Sequence, residues 1–305
     1  MNHALPNAST RYIGRFAPSP TGPLHFGSLV AAVGSYLQAK SHQGQWLVRM
    51  EDLDPPREMA GAADAILRTL DRFGLHWDGP VLYQSRRKEA YLEALKTLRA
   101  TGLLYACGCS RKQISLISER GPFGPVYPGL CRSANRRDQS RTALRIQVDD
   151  QLVEFCDAIH GNYGQRLESE VGDFVVRRAD GLFAYQLAVV VDDAEQGVTE
   201  VVRGSDLLDN TPRQIYLQRL LGYSQPGYAH LPLALNAAGQ KLSKQNGARA
   251  VDDERPHLTL LRVLDFLNQS PPSELCEAEL DEIWQWAITH WSLAAIPARD
   301  KPLAP

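Results

Sequence analysis

The sequence predicts an α/β fold: a nucleotide-binding domain in two halves, interrupted by an insertion and followed by a short helical region. Three observations carry this expectation. Strand-like and helical segments alternate at the start of the chain, a Pro- and Gly-rich turn opens the first helix, and strand-like segments resume near Phe174 after a stretch of different character. The expected units are residues 10–106 for the first half, 107–171 for the insertion, 172–235 for the second half, 236–295 for a lysine-bearing loop with helices, and 296–305 for a tail.

Taken in order, Tyr12 to Phe16 reads as a strand and Gly27 to Lys40 as a helix carrying Leu29, Val30, Val33 and Leu37. Gln45 to Met50 completes a βαβ unit. Helical spacing returns at Ile66, Leu67, Leu70 and Phe73, then at Leu92, Leu95 and Leu98 before Gly102 stops it. From Cys107 the pattern breaks into a CxC pair, a Gly- and Pro-containing loop, and strands at Leu144 to Val148 and Val153 to Ile159. Phe174 to Arg177, Phe183 to Val191 and Thr199 to Val202 read as returning strands. Within the second, Leu187 to Val191 is apolar enough for a strand buried on both faces, with Asp192 and Asp193 at its end. Pro212 to Leu221 forms a helix with Pro in its first turn and Gly222 as its stop. Leu258 to Leu267 and Glu277 to Trp291 are the closing helices.

At 305 residues the chain has room for a large core and two or three structural units. An apolar share of 44% with 22% charged residues excludes a disordered chain. The net charge of -2 argues against indiscriminate nucleic-acid binding, which needs a broad positive surface. Local basic groups exist at Arg86, Arg87 and Lys88 and at Arg132, Arg136, Arg137 and Arg141, and each is by default a solvated face. Met1 to Thr10 has no basic start followed by an apolar run, and no later stretch reaches the length of a membrane span. A cytoplasmic monomer without a membrane partner is the expectation.

The chemistry begins with the turn before the first helix. It aims backbone N–H groups and a positive helix end at whatever sits above it, and a triphosphate suits that position. His25 could donate to a phosphate oxygen, and Lys241 and Lys244 could neutralise a departing pyrophosphate. Five cysteines, with Cys107 and Cys109 one residue apart, fit a metal site better than a disulfide framework; Cys156 and Cys276 are expected to be buried. Cys107, Cys109 and Cys131 supply three thiolates where structural zinc takes four ligands. No His lies between Cys109 and Cys131, which leaves a water as fourth ligand, or no metal, as alternatives.

The segment R-F-A-P-S-P-T-G-x-L-H-x-G, from Arg15 to Gly27, resembles the signature of class I glutamyl-tRNA synthetases. The likeness extends through Arg49 to Asp54, Ala184 to Asp193, Gly197 to Gly204 and the K-L-S-K-Q loop at Lys241. It implies a Rossmann-type class I synthetase catalytic domain and an ATP-dependent ligase that joins glutamate to AMP and passes it to an RNA hydroxyl. By the same likeness Arg15, Ala17 and Ser19 line the amino acid, Glu51 holds its ammonium, and Tyr185 and Arg203 complete recognition. Pro18, His25, Gly27, Ser28, Lys241, Ser243 and Lys244 fall on ATP, which brings Mg2+. His25 and Lys244 carry the catalytic role, assisted by Lys241. Val189 departs from an Asn often found in the family, so a polar contact is expected to be missing.

Only residues 245–305 follow Lys244, too few for the helical domain with which a full glutamyl-tRNA synthetase reads the anticodon. With no anticodon-binding domain, and with Tyr127 at the fourth position of the cysteine motif, the chain is most similar to the glutamyl-queuosine tRNA(Asp) synthetase subfamily. That likeness implies a zinc-containing α+β insertion, with zinc on Cys107, Cys109, Tyr127 and Cys131. It also implies glutamate activation without tRNA and transfer to queuosine in the anticodon loop of tRNA(Asp), with Arg132, Arg136 and Arg137 as backbone contacts. Two alternatives stand beside it: a truncated synthetase that charges an acceptor end, and a non-catalytic RNA-binding or amino-acid-sensing paralogue. A nucleotide-dependent dehydrogenase is disfavoured because neither G-x-G-x-x-G nor a Walker loop is present.

Overall fold

The computed structural model describes residues 11–133, 141–236, 239–242 and 250–302. The chain enters through β1 (Ile13–Phe16), α1 (Phe26–Ser41) and β2 (Gln45–Met50), followed by α2 (Ala62–Arg72), β3 (Leu82–Tyr83) and α3 (Lys88–Ala100). Next come β4 (Leu104–Cys107), α4 (Arg111–Ile117), the short strands β5 (Arg120–Gly121) and β6 (Gly124–Pro125), and β7 (Ala143–Ile146). The hairpin β8 (Leu152–Asp157) and β9 (Gly161–Arg166), the single turn α5 (Leu167–Glu170) and β10 (Phe174–Arg177) follow. The chain then runs through α6 (Tyr185–Glu195), β11 (Glu200–Gly204), α7 (Thr211–Leu221), β12 (Gly227–Leu231) and β13 (Ala234–Leu235). It closes with α8 (Pro256–Phe266), α9 (Leu280–His290) and β14 (Lys301–Pro302).

The expected βαβ unit is present: β1 and β2 pair in parallel, with Arg15 opposite Leu47, and β3 extends that sheet beyond β2. β11 and β12 also pair in parallel, with Arg203 opposite His230. The two pairs meet where Thr199 N–H donates to the Ile13 carbonyl at 2.9 Å and Ile13 N–H donates to Thr199 Oγ1 at 2.9 Å. Successive strand residues point to opposite faces, and this alternation separates two cores. On one face Phe16, Trp46, Val48, Met50, Val202 and Leu231 pack with α1, α8 and α9. On the other, Val201 and Tyr228 pack with Leu187, Val190, Ile215 and Leu217 of α6 and α7. Gly34 lets α1 close on the first face, since a Cβ there would meet a Leu231 methyl at 2.6 Å.

A second sheet is antiparallel, in the order β10-β7-β4, so the strands on either side of the expected insertion share its sheet. The β8–β9 hairpin reaches the other way and touches β12 through the pair Tyr228 and Asp157.

Two expectations need correction. Phe183 to Val191 is not a strand, because Tyr185 to Glu195 is the helix α6 and Asp192 and Asp193 lie inside it. All of Gln186 to Asp193 is buried, so the helix shows no polar stripe, and a run that is apolar all round cannot be told from a buried strand by periodicity. Its length decided the matter, and that was visible only with Asp192 to Glu195 included. Cys156 and Cys276 are exposed, not buried. Cys156 falls on the outward row of β8, whose inward row is Val153, Phe155 and Asp157. Among the described residues no helix is long and apolar enough to cross a membrane.

Candidate active site

Eleven of the residues expected at the site (Arg15, Ala17, Pro18, Ser19, His25, Gly27, Ser28, Glu51, Tyr185, Arg203 and Lys241) line one cavity of about 530 Å3 above the ends of β1, β11 and β12. Ser243 and Lys244 lie outside the described residues, as do Arg136 and Arg137. The turn after β1 feeds α1, whose first turn carries no acidic residue and whose positive end therefore faces the cavity uncompensated from its own helix. His25 is its N-cap: Nδ1 accepts the Ser28 backbone N–H at 3.2 Å. That leaves the proton on Nε2, which donates to Ser28 Oγ at 3.0 Å. The imidazole thus lies at the cavity with its Nε2–H directed to Ser28.

Strand alternation sets the polar wall. Arg15 of β1, Arg49 of β2, Glu51 just beyond it and Arg203 of β11 all project to the face covered by α6. There Asp193 accepts from Arg15 Nε at 3.1 Å and Nη2 at 3.3 Å, and from Arg49 Nη2 at 2.5 Å. Burial pushes the Asp193 carboxyl up, but Arg15 and Arg49 outweigh it and hold the group below the usual range. Because Asp193 takes the Nε side of Arg15, the opposite edge of that guanidinium, Nη1 with one Nη2 proton, remains for a ligand. Glu51 is the contrary case. Burial pushes its carboxyl up to about 7, opposed by Arg49 and Arg15 and reinforced by Asp193 and Asp192. Tyr185 hydroxyl accepts from Arg203 Nη1 at 3.3 Å.

At the rim Lys241 pairs with Asp206 at 2.5 Å. Val189 is buried in the core with the other α6 valines and does not line the cavity. Arg132 is engaged elsewhere, in ion pairs at 2.7 Å with both Asp173 and Glu168, which makes it a brace of the insertion. Reasoning from sequence missed Asp193, Thr211, Asp157 and His230. For Asp193 and His230 the available signal was a polar residue in an apolar run, Leu187 to Asp193 and Tyr228 to Leu231; Thr211 and Asp157 had none of that kind.

The cysteine cluster forms apart from this cavity, with a small core of its own. The three Sγ atoms of Cys107, Cys109 and Cys131 lie within 4.8 Å of one another, and Cys109 and Cys131 are 3.6 Å apart. Tyr127 hydroxyl is 3.3 Å from Cys107 Sγ and 3.6 Å from Cys109 Sγ. Tetrahedral zinc bonds imply ligand separations of about 3.8 Å for two sulfurs and about 3.5 Å for sulfur and oxygen. The donor set fits a structural metal. The Arg145 guanidinium covers the Tyr127 ring at 4.0 Å, which fixes the phenol in place.

Comparison with known proteins gives this geometry its context. Residues 13–265 match the model of tRNA synthetases class I (E and Q), catalytic domain. A glutamyl-Q tRNA(Asp) synthetase of Dechloromonas aromatica is 57% identical over 296 residues, 96% of this chain and 98% of that one. The chain belongs to the glutamyl-Q tRNA(Asp) synthetase family of class I synthetases. Another member, from Chromobacterium violaceum, is 54% identical over 94% of this chain and 96% of that one. A glutamate tRNA ligase from Elizabethkingia meningosepticum, solved in complex with its amino acid, superposes with a TM-score of 0.81 at 23% identity. It shares the fold over 97% of this chain and 67% of its own. Membership in the glutamyl-Q tRNA(Asp) synthetase family makes the chain an ATP-dependent ligase of the aminoacyl-tRNA synthetase type.

Proposed function

We propose that the protein activates L-glutamate with ATP, without needing tRNA, and transfers the glutamyl group to queuosine in the anticodon loop of tRNA(Asp). One observation carries the amino-acid half of this reading: the polar wall of the cavity carries Glu51 and two arginines, Arg15 and Arg203, with the Tyr185 hydroxyl accepting from Arg203. Glutamate brings one ammonium and two carboxylates, and this wall offers one acid and two guanidinia. The tRNA half rests on the names of relatives more than 50% identical over nearly the whole chain.

In this reading Ala17 and Ser19 pack along the amino acid while Pro18, Gly27 and Ser28 border ATP at the N-terminus of α1. Adenylate formation needs no covalent nucleophile on the protein. The glutamate α-carboxylate attacks the α-phosphate in line, pyrophosphate leaves, and the site contributes alignment and charge neutralisation. His25 donates to phosphate oxygen, and Lys241, Ser243 and Lys244 receive the pyrophosphate, with Mg2+ carried in on the nucleotide. Lys241 must then leave Asp206, an exchange that a half-exposed ion pair allows at little cost. Zinc on Cys107, Cys109, Tyr127 and Cys131 holds the end of the insertion together.

The test is glutamate-dependent exchange of pyrophosphate into ATP, with and without tRNA, followed by transfer of labelled glutamate to tRNA(Asp) with and without queuosine and to tRNA(Glu). Exchange without tRNA and transfer confined to queuosine-bearing tRNA(Asp) are the expected results. Strict dependence of exchange on tRNA, or charging of tRNA(Glu), would overturn the proposal.

A further inference from the structure

Behind Arg203, on the side away from the cavity, lies a fully buried polar group that the proposed chemistry does not use. His230 of β12 is opposite Arg203 in the parallel register, and its side chain is 0% exposed. Arg203 Nε lies 3.0 Å from His230 Nε2. A guanidinium can only donate, so Nε2 must carry the lone pair and the ring proton must sit on Nδ1. Nδ1 is 2.6 Å from Asp157 Oδ2, which accepts that proton's hydrogen bond. Asp157 is itself fixed, its Oδ1 accepting backbone N–H groups of Ile159 at 3.0 Å and His160 at 2.9 Å. Burial drives the imidazole down to about 4 against the pull of Asp157, so the ring is neutral at ordinary pH.

The remaining donors of Arg203 are also allotted. Nη2 donates to Thr211 Oγ1 at 2.8 Å and to the Leu207 carbonyl at 3.5 Å, and Nη1 donates to Tyr185 hydroxyl at 3.3 Å. Of five N–H groups on a guanidinium, this leaves one, on Nη1, for the cavity.

We infer that His230 is a positioning residue for amino-acid recognition: with Asp157 and Thr211 it fixes the plane of the Arg203 guanidinium and limits it to one N–H toward the substrate. The inference rests on the proposed binding of glutamate in this cavity. It gives the two arginines different tasks, Arg15 offering a two-pronged edge and Arg203 a single directed donor. It also gives the β8–β9 hairpin a purpose at the site, because that hairpin supplies Asp157.

The test uses the intact protein and paired substitutions. His230→Asn keeps an amide donor for Asp157 but ends short of Arg203, whereas His230→Gln can place an oxygen acceptor near the Nε2 position. Thr211→Val removes the second anchor with little change of volume. In glutamate-dependent pyrophosphate exchange, H230N is expected to raise the glutamate KM by about tenfold or more while leaving the ATP KM within about twofold. H230Q should restore the glutamate KM to within roughly threefold of wild type, and T211V should raise it by roughly fivefold. Should H230N fail to fold, as judged by its thermal melt, T211V and H230Q decide the matter. An unchanged glutamate KM in H230N or T211V overturns the inference, as does a parallel rise of both KM values in H230N and H230Q. Wild-type protein without glutamate-dependent exchange would instead overturn the proposed activity, and the inference would fall with it.

Discussion

Glu51 is the residue whose chemistry is least comfortable in this fold. Its carboxyl is pushed up to about 7 from an ordinary 4.5, chiefly by burial, and an ammonium placed against it would favour the ionised form. Protonated enzyme must give up that proton to bind glutamate, so kcat/KM for glutamate should fall as pH drops through about 7, approaching tenfold per unit. A pH series of exchange rates measures this. E51Q should flatten the profile and weaken glutamate binding while leaving the ATP KM unchanged; a profile identical to wild type would refute the assignment. The same shift has a stability consequence. A carboxyl raised in the folded state favours folding below its ordinary value, and that advantage is lost as pH rises through about 7. E51Q should therefore melt above wild type at pH 8, and a lower melt would contradict the buried charge. Arg15, Glu51, Tyr185 and Arg203 could be found in the sequence because they reach the cavity within recognisable motifs. Asp193 and His230 stood out only as polar residues in apolar runs, with nothing to name their role, because what they do is hold other side chains whose positions are 178 and 27 residues away.

At the scale of elements, α6 explains why a helix full of valine ends in two aspartates. The strands bring Arg15 and Arg49 to its buried face, 3% and 0% exposed, and the covering element supplies the carboxylate that pairs with both. Asp193→Asn removes that charge and strands two buried guanidinia. A loss of about 3 kcal/mol is expected, read as a melting temperature lower by roughly 5–10 °C. Glu195→Gln, two residues on and facing the exposed side, should change stability by less than about 1 kcal/mol. Equal effects of the two would show that the buried cluster is no special support. β1, α1 and β2 were legible to within a residue or two because the Pro- and Gly-rich turn fixed where the helix opens and the helix-spaced Leu29, Val30, Val33 and Leu37 follow it at once. α6 was not, because a helix buried on every side loses the periodicity by which helices are read.

At the scale of the whole molecule, apolar packing among the described residues falls into three clusters: one on each face of the parallel sheet, and a third made of the cysteine motif and its neighbours. Their sizes differ greatly, and this decides where stability must come from. The two large clusters bury enough aliphatic and aromatic surface to hold the sheet and cavity without help. The third buries just Cys107, Tyr127 and Cys131, with Tyr105, Cys109 and Ile114 partly buried beside them, too little to order a loop-rich segment. A metal bound by these four donors would supply the missing free energy, as in small domains that fold only when loaded. Freshly purified protein should therefore contain about one zinc per chain by elemental analysis. Cys131→Ser should reduce that content well below one, and amide exchange should quicken across Cys107 to Cys131. Exchange at Trp46 and Leu37, in the largest cluster, should stay slow, because the sheet does not depend on the metal. Sub-stoichiometric metal in wild type, or a loss of protection that spreads equally to Trp46, would show that this segment is held by something other than its four donors.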